Sequence, residues 1–153
     1  LMKKRPPREG RSPLKLMGNA AFHTPLMKAI AERAREQLPV SLFSSPSIPL
    51  VDGMGKIWMP HSSSLHELWG YTLGQQVDEA YDFSTSVEVA VKEFAPDYLI
   101  ITGPGMTLGV AVAQVLINRN LKPMKNKTDF KLLQDHEPYL LSMADPSQRS
   151  KVL

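Results

Sequence analysis

Apolar residues recur every fourth position along residues 24–38 (TPLMKAIAERAREQL): Leu26, Ile30, Ala34 and Leu38. That interval places them on one stripe of a helix, with Lys28, Glu32, Arg33, Arg35 and Glu36 covering the other faces. Thr24 stands at the N-cap, where a hydroxyl accepts a free first-turn amide. Pro25 suits the first helical position, and Pro39 stops the run. Residues 48–51 (IPLV) read as a short buried strand ended by Asp52–Gly53, and residues 56–63 as irregular. Residues 64–76 give a helix weakened by Gly70 and Gly74. A further helix spans 84–94, with Ser84 or Ser86 as its cap, Val87, Val91 and Phe94 on one side, and Pro96–Asp97 as its break.

The continuous apolar run 98–101 (YLII) predicts a central parallel strand covered on both faces. Gly103-Pro104-Gly105 is a tight turn, and residues 107–118 form a helix apolar nearly all round, hence expected to be buried. Helix, strand, helix, helix, strand, helix in this order predicts an α/β fold with a parallel sheet. The ends differ from this middle. Residues 1–13 are basic and Pro-containing, a loop or insertion, and residues 14–17 (LKLM) a short strand. Residues 119–153 are expected to be a polar C-terminal extension, with one short helix near Phe130–Gln134 and then a mobile tail.

Composition changes this picture in three ways. The chain's 153 residues suit one domain or a large piece of one, and 42% hydrophobic with 22% charged residues excludes a disordered chain. Its positive charge is local: Lys3, Lys4, Arg5, Arg8, Arg11 and Lys15 face only Glu9, while the other 138 residues carry 12 basic and 14 acidic side chains. A basic tail is not a basic surface, so nucleic acid is not expected as a partner. No Cys is present, which removes disulfides, a thiolate nucleophile and Cys-ligated metal. No apolar run is long enough for a membrane span and no secretory signal follows the basic start. A cytoplasmic location with no membrane partner is the expectation.

Among four histidines, His61, His66 and His136 lie in polar segments, and the five-residue spacing of His61 and His66 suits no helical metal pair. No metal site is expected. His23 is different, because it directly precedes the capped helix. A helix N-terminus favours the neutral imidazole, the form able to take a proton. The same position also serves a His that merely helps to cap the helix.

The stretch Ala21-Phe22-His23-Thr24-Pro25-Leu26-Met27 resembles the histidine motif of the malonyl-CoA:acyl-carrier-protein transacylases (ACP S-malonyltransferases) and the related acyltransferase domains of polyketide and fatty-acid synthases. Further similarities follow in order. Phe43-Ser44-Ser45-Pro46-Ser47-Ile48-Pro49-Leu50-Val51 resembles the family's strand after its long helix. Leu73-Gly74-Gln75-Gln76, followed by Phe83-Ser84-Thr85-Ser86-Val87-Glu88, resembles its Gln and its W-x-x-S-V helix start, with Phe83 in place of Trp. Gly103-Pro104-Gly105-x-x-Leu108 resembles its Gly-Pro-Gly turn. The similar stretch covers residues 14–117, so residues 14–118 correspond to the C-terminal part of the acyltransferase domain.

The resemblance implies an α/β-hydrolase-like large subdomain, a parallel sheet with flanking helices, and the end of a ferredoxin-like subdomain. It also implies a chemistry. A Ser on a Gly-x-Ser-x-Gly elbow attacks the malonyl thioester, and His23 matches the general base that takes its proton. Gln76 matches the residue whose backbone carbonyl orients that His. Malonyl then passes to the phosphopantetheine thiol of acyl carrier protein, with coenzyme A thioester as substrate and no further cofactor. Phe22 matches a position whose ring goes with malonyl over methylmalonyl, by leaving little room for a methyl group. It equally suits a hydrophobic staple to the following helix.

Departures are plain. Val51-Asp52-Gly53 replaces the family's Val-x-Asn, and Thr102 stands where an acidic residue often precedes Gly-Pro-Gly. No Gly-x-Ser-x-Gly occurs in the sequence. The family's N-terminal Gln for the oxyanion hole and its Arg for the malonyl carboxylate have no counterpart either. The expectation is a C-terminal half whose missing N-terminal half bears the nucleophilic Ser, with the lone chain inactive. An alternative is a non-catalytic acyltransferase-like protein that docks acyl carrier protein, with Lys122, Lys125, Lys127 and Lys131 meeting an acidic partner. A nucleotide-binding α/β piece is disfavoured, since Gly103-Pro104-Gly105 lacks the further glycine and Lys of a phosphate loop.

Overall fold

A computed structural model describes residues 20–103, 105 and 107–152. The basic loop at 1–13 and the strand expected at 14–17 lie outside the described residues. The protein is a mixed α/β structure, with one small antiparallel and one small parallel sheet among the described residues.

The first helix begins otherwise than its sequence predicts. Thr24 Oγ1 donates to the Ala21 carbonyl at 2.6 Å rather than accepting an amide. Pro25–Met27 then make a 3-10 turn before the α-helix α1 (Lys28–Gln37). The stripe also points elsewhere: Leu26 is 82% exposed and Ile30 50%, while Ala31 is fully buried. The buried face is set by small residues, because α1 lies close against the segment 71–78.

That segment is the helix weakened by two glycines. It runs as α2 (Leu65–Gly70), a π-helical turn over Tyr71–Gln75, and α3 (Gln76–Asp78). Ser64 caps its start by accepting the Glu67 amide. Gly74 lies under the Arg35 guanidinium of α1, which occupies the space a Cβ would take. Trp69 Nε1 donates to the Leu38 carbonyl at 2.7 Å and fixes the other end of α1.

The strand at 50–51 is half of a hairpin. β1 (Leu50–Val51) pairs antiparallel with β2 (Ile57–Trp58), inside a stretch expected to be irregular. Gly55, at φ +80°, closes the turn by donating its amide to the Asp52 carbonyl at 3.1 Å. Helix α4 (Phe83–Phe94) starts one residue before its expected start and is capped by Asp82, not by Ser84 or Ser86. The Asp82 carboxylate accepts from the Thr85 amide at 3.0 Å, which holds its pKa below the ordinary value. Ala95 ends α4 at φ +42°, ahead of Pro96.

The parallel sheet consists of β3 (Leu99–Ile101) and β4 (Leu140–Ser142), in register Leu99 with Leu140 and Ile101 with Ser142. β3 is therefore not covered on both faces among the described residues, and Ile100 stays 42% exposed. Helix α5 (Thr107–Asn118) buries Val112, Val115 and Leu116 but leaves Leu108 and Val110 exposed, so it is not buried all round.

The largest correction concerns residues 119–153. In place of one short helix and a tail they supply α6 (Lys127–His136), β4 and α7 (Pro146–Arg149). Met124, Tyr139 and Leu140 join Val91, Val112 and Leu116 in the main core. Gln134 locks α6 to β4: its Oε1 accepts the Tyr139 and Leu140 amides, and its Nε2 donates to the Leu140 carbonyl. Three apolar positions at 139–141 bracketed by polar residues concealed this strand.

Leu141 is fully buried. Leu141→Ala is expected to destabilise the chain by about 2–5 kcal/mol, read as a fall in the urea midpoint at unchanged slope. A shift near zero would mean that β4 is not part of the cooperative fold.

Candidate active site

His23 sits between the 3-10 turn and the far end of α3. A helix leaves its last carbonyls without intrahelical partners. In α3 two of these carbonyls are taken by one residue. His23 Nδ1 lies 2.7 Å from the Gln76 carbonyl oxygen, and the His23 amide donates to the Val77 carbonyl at 2.9 Å. Both anchors belong to the last turn of the helical segment 65–78, so the ring's hydrogen-bonding partner is that helix end rather than the start of α1. The double anchor requires φ +63° at His23. Such a left-handed backbone is uncommon outside glycine, though His tolerates it better than most residues, and it persists only where its surroundings fix it.

An Nδ1 that contacts a carbonyl oxygen must carry the proton. The neutral ring then has its lone pair on Nε2. Nε2 makes no hydrogen bond among the described residues, and the side chain is exposed. This arrangement can accept a proton from a hydroxyl brought up from outside.

Two aromatic rings flank the imidazole. Phe22, 54% exposed, has its centroid 6.4 Å away, and Tyr81 stands at 5.4 Å with a 45° tilt. Phe22 is thus beside His23, as its place in the sequence requires. Tyr81 was not singled out by any motif. Its seat is Gly53, where a Cβ would come within 2.8 Å of three atoms of the Tyr81 ring.

Gly53 is placed in turn by Asp52. Asp52 is 6% exposed, and both oxygens of its carboxylate accept hydrogen bonds inside the hairpin. Oδ1 accepts the Met54 and Lys56 amides at 2.8 and 2.9 Å, and Oδ2 accepts Trp58 Nε1–H at 2.9 Å. Its backbone carbonyl accepts Ser86 Oγ at 2.6 Å, tying the hairpin to α4. The Gly53 amide donates to the Tyr71 hydroxyl at 2.8 Å, and the Gly53 carbonyl accepts the Asp82 amide. Burial raises the Tyr71 hydroxyl above its ordinary pKa, with the Gly53 amide acting in the opposite sense. Asp52 therefore builds the local frame. The signal for this hairpin in the sequence is Asp52-Gly53 followed by Gly55 and Trp58, and it is faint because each strand has only two residues.

The remaining histidines stand apart from His23. His61 is exposed at φ +64°, His66 lies against the Trp69 ring and His136 ends α6. No group of three or more His, Asp or Glu side chains that could hold a metal ion occurs among the described residues. Of the lysines at 122, 125, 127 and 131, Lys122 lies over the Tyr139 ring at 4.1 Å. Among the described residues no helix is long and apolar enough to cross a membrane.

No family model matches the chain, and neither a curated protein nor a solved structure matches it.

Asp52→Ala is expected to cost about 2–5 kcal/mol, because it orphans a buried indole N–H and two amides. Urea unfolding followed by Trp fluorescence reads this loss. A cost under about 1 kcal/mol would remove Asp52 from its place as organiser of the hairpin.

Proposed function

We propose that this chain is the base-carrying, C-terminal part of an acyltransferase that moves malonyl from coenzyme A to the phosphopantetheine thiol of acyl carrier protein. The observation that carries this reading is the 2.7 Å contact between His23 Nδ1 and the Gln76 carbonyl. It joins two residues 53 apart that the resemblance pairs for that purpose, and it leaves Nε2 open. A base oriented by main chain needs no Asp, so the lack of a third side chain is no obstacle.

In the proposed cycle a Ser hydroxyl, supplied by polypeptide outside this sequence, attacks the thioester carbonyl carbon as its proton passes to His23 Nε2. The carbon–sulfur bond breaks, and the same nitrogen returns the proton to the departing thiolate, giving free coenzyme A. The carrier's thiol then attacks the acyl-serine ester, losing its proton to Nε2. The Ser oxygen leaves and recovers that proton. Every step uses the imidazole once as acceptor or donor, which suits a group with one bare nitrogen. Phe22, beside the imidazole, is the proposed selector for malonyl.

The surface supports a body that meets further protein. A two-stranded parallel sheet is rarely self-sufficient, and Ile100 on it is exposed. Leu26, Leu42 and Ile48 are 82%, 66% and 65% exposed on the side of α1 and the segment leading to β1. The hydrolase-like sheet of the resembling family belongs to this proposal, as do its carrier protein and its cytoplasmic setting.

The lone chain is expected to transfer no malonyl to acyl carrier protein, since a base without nucleophile and oxyanion donors has little to catalyse. Mixed with a polypeptide bearing the Gly-x-Ser-x-Gly elbow it is expected to turn over, and His23→Ala in that mixture to abolish turnover. Turnover by the lone chain, or an unaffected His23→Ala mixture, overturns the assignment. Carrier binding without turnover in any mixture favours the docking alternative instead.

In the same mixture Phe22→Ser is expected to raise methylmalonyl use relative to malonyl by roughly ten- to two-hundred-fold, the worth of about 1–3 kcal/mol for one methyl group. Competition between the two thioesters measures the ratio. An unchanged ratio would leave Phe22 as a staple only.

A further inference from the structure

We infer that Tyr81 is a positioning residue for His23, its ring forming the wall that holds the imidazole with Nδ1 on the Gln76 carbonyl. An exposed imidazole with one hydrogen bond is free to rotate about its side-chain torsions and to exchange tautomers. Something must restrict it if one nitrogen is to stay bare and aimed. The hydrogen bond sets the direction of Nδ1 but not the tilt of the plane. The Tyr81 ring, 5.4 Å away and inclined at 45°, supplies the second contact that fixes a plane.

The wall is itself held from behind. Gly53 has no side chain, and the Tyr81 ring occupies the space a Cβ would need. Ser86 Oγ stands 3.3 Å from the Tyr81 hydroxyl. Asp82, next in the chain, donates its amide to the Gly53 carbonyl at 3.0 Å. Position 81 is therefore pinned by Gly53 of the hairpin, which the buried Asp52 carboxylate organises, and by Ser86 of α4. Orientation passes from Asp52 to Gly53, from Gly53 to Tyr81, and from Tyr81 to the imidazole. Tyr81 touches no substrate in this scheme and acts through His23. Its catalytic meaning depends on His23 being the base, whereas the orientation of the ring is a property of this chain alone.

The test is long-range proton–nitrogen correlation spectroscopy on the full 15N-labelled chain, at a pH where the imidazole is neutral. The two ring nitrogens of His23 are expected to show one protonated Nδ1 and one bare Nε2. Tyr81→Leu is expected to shift both resonances toward the averaged position of exchanging tautomers. Tyr81→Phe keeps the ring and is expected to keep the wild-type pattern, which a role for the hydroxyl would not allow. Gly53→Ala displaces the wall without altering Tyr81 and is expected to reproduce the Tyr81→Leu shift. It also serves as the second route should Tyr81→Leu fail to fold. Retention of the single Nδ1–H pattern in folded Tyr81→Leu or Gly53→Ala overturns the inference. A wild-type chain that already shows averaged nitrogens overturns both this role and the proposed base geometry. Locked nitrogens that loosen in the variants, beside a complemented mixture that never turns over, sustain the positioning role while removing the transferase reading.

Discussion

The carboxylate of Asp52 is the interaction on which the rest of the site is built. A buried charge is costly unless its lone pairs are met. Here two amides and an indole meet them. The reward is a turn of fixed shape made from two residues per strand, too few to hold a hairpin by ladder hydrogen bonds alone. Because that turn is rigid, Gly53 can sit beneath the Tyr81 ring and Asp52's own carbonyl can receive Ser86 from α4. Three segments thus converge on the Asp52–Gly53 backbone: the hairpin itself, the start of α4 through Ser86, and the π-helical turn through the Tyr71 hydroxyl.

The π-helical turn performs the matching task from the other side. One extra residue in a helical turn rotates everything after it relative to everything before it. Across Tyr71–Gln75 that rotation presents the carbonyls of Gln76 and Val77 toward His23. The glycines that lower helix propensity at 70 and 74 mark the place, and Gly74 also admits the Arg35 guanidinium of α1. A sequence rule that counts glycine as a helix weakener notices the spot but misses what the backbone does with it.

How much was legible in the sequence follows from what each signal measures. Periodicity located α1, α4 and α5 to within a few residues, since a helix must bury some face. It failed on which face: Leu26, Ile30 and Leu38 of the stripe are exposed and Ala34 is half-buried, because a close helix crossing selects Ala31 over larger side chains. Short strands with strong local chemistry were invisible, as β2 and β4 have two and three residues and fall below any alternation test. Residues 119–153 read as a tail because average polarity hides four buried positions in a row, 139–142. The site divides the same way. His23, Phe22 and Gln76 are reached through a motif and Asp52 through a faint local signature, whereas Tyr81 meets His23 and Gly53 through contacts across the fold that no local pattern records.

What anchors His23 is conformation rather than side-chain identity at positions 76 and 77. Both partners are main-chain oxygens, which every residue offers, so the letter Gln at 76 carries no chemistry of its own in this contact. The requirement falls on geometry: a helix must end there, with its last carbonyls unspent, and the incoming chain must accept a left-handed turn at 23 to reach them. A side-chain carboxylate in the same place could rotate away or take up a proton. A helix-end carbonyl can do neither. An imidazole held in this way draws its orientation from the fold itself. Beyond the one buried Asp52 carboxylate, the support accordingly runs through glycines, amides and aromatic walls.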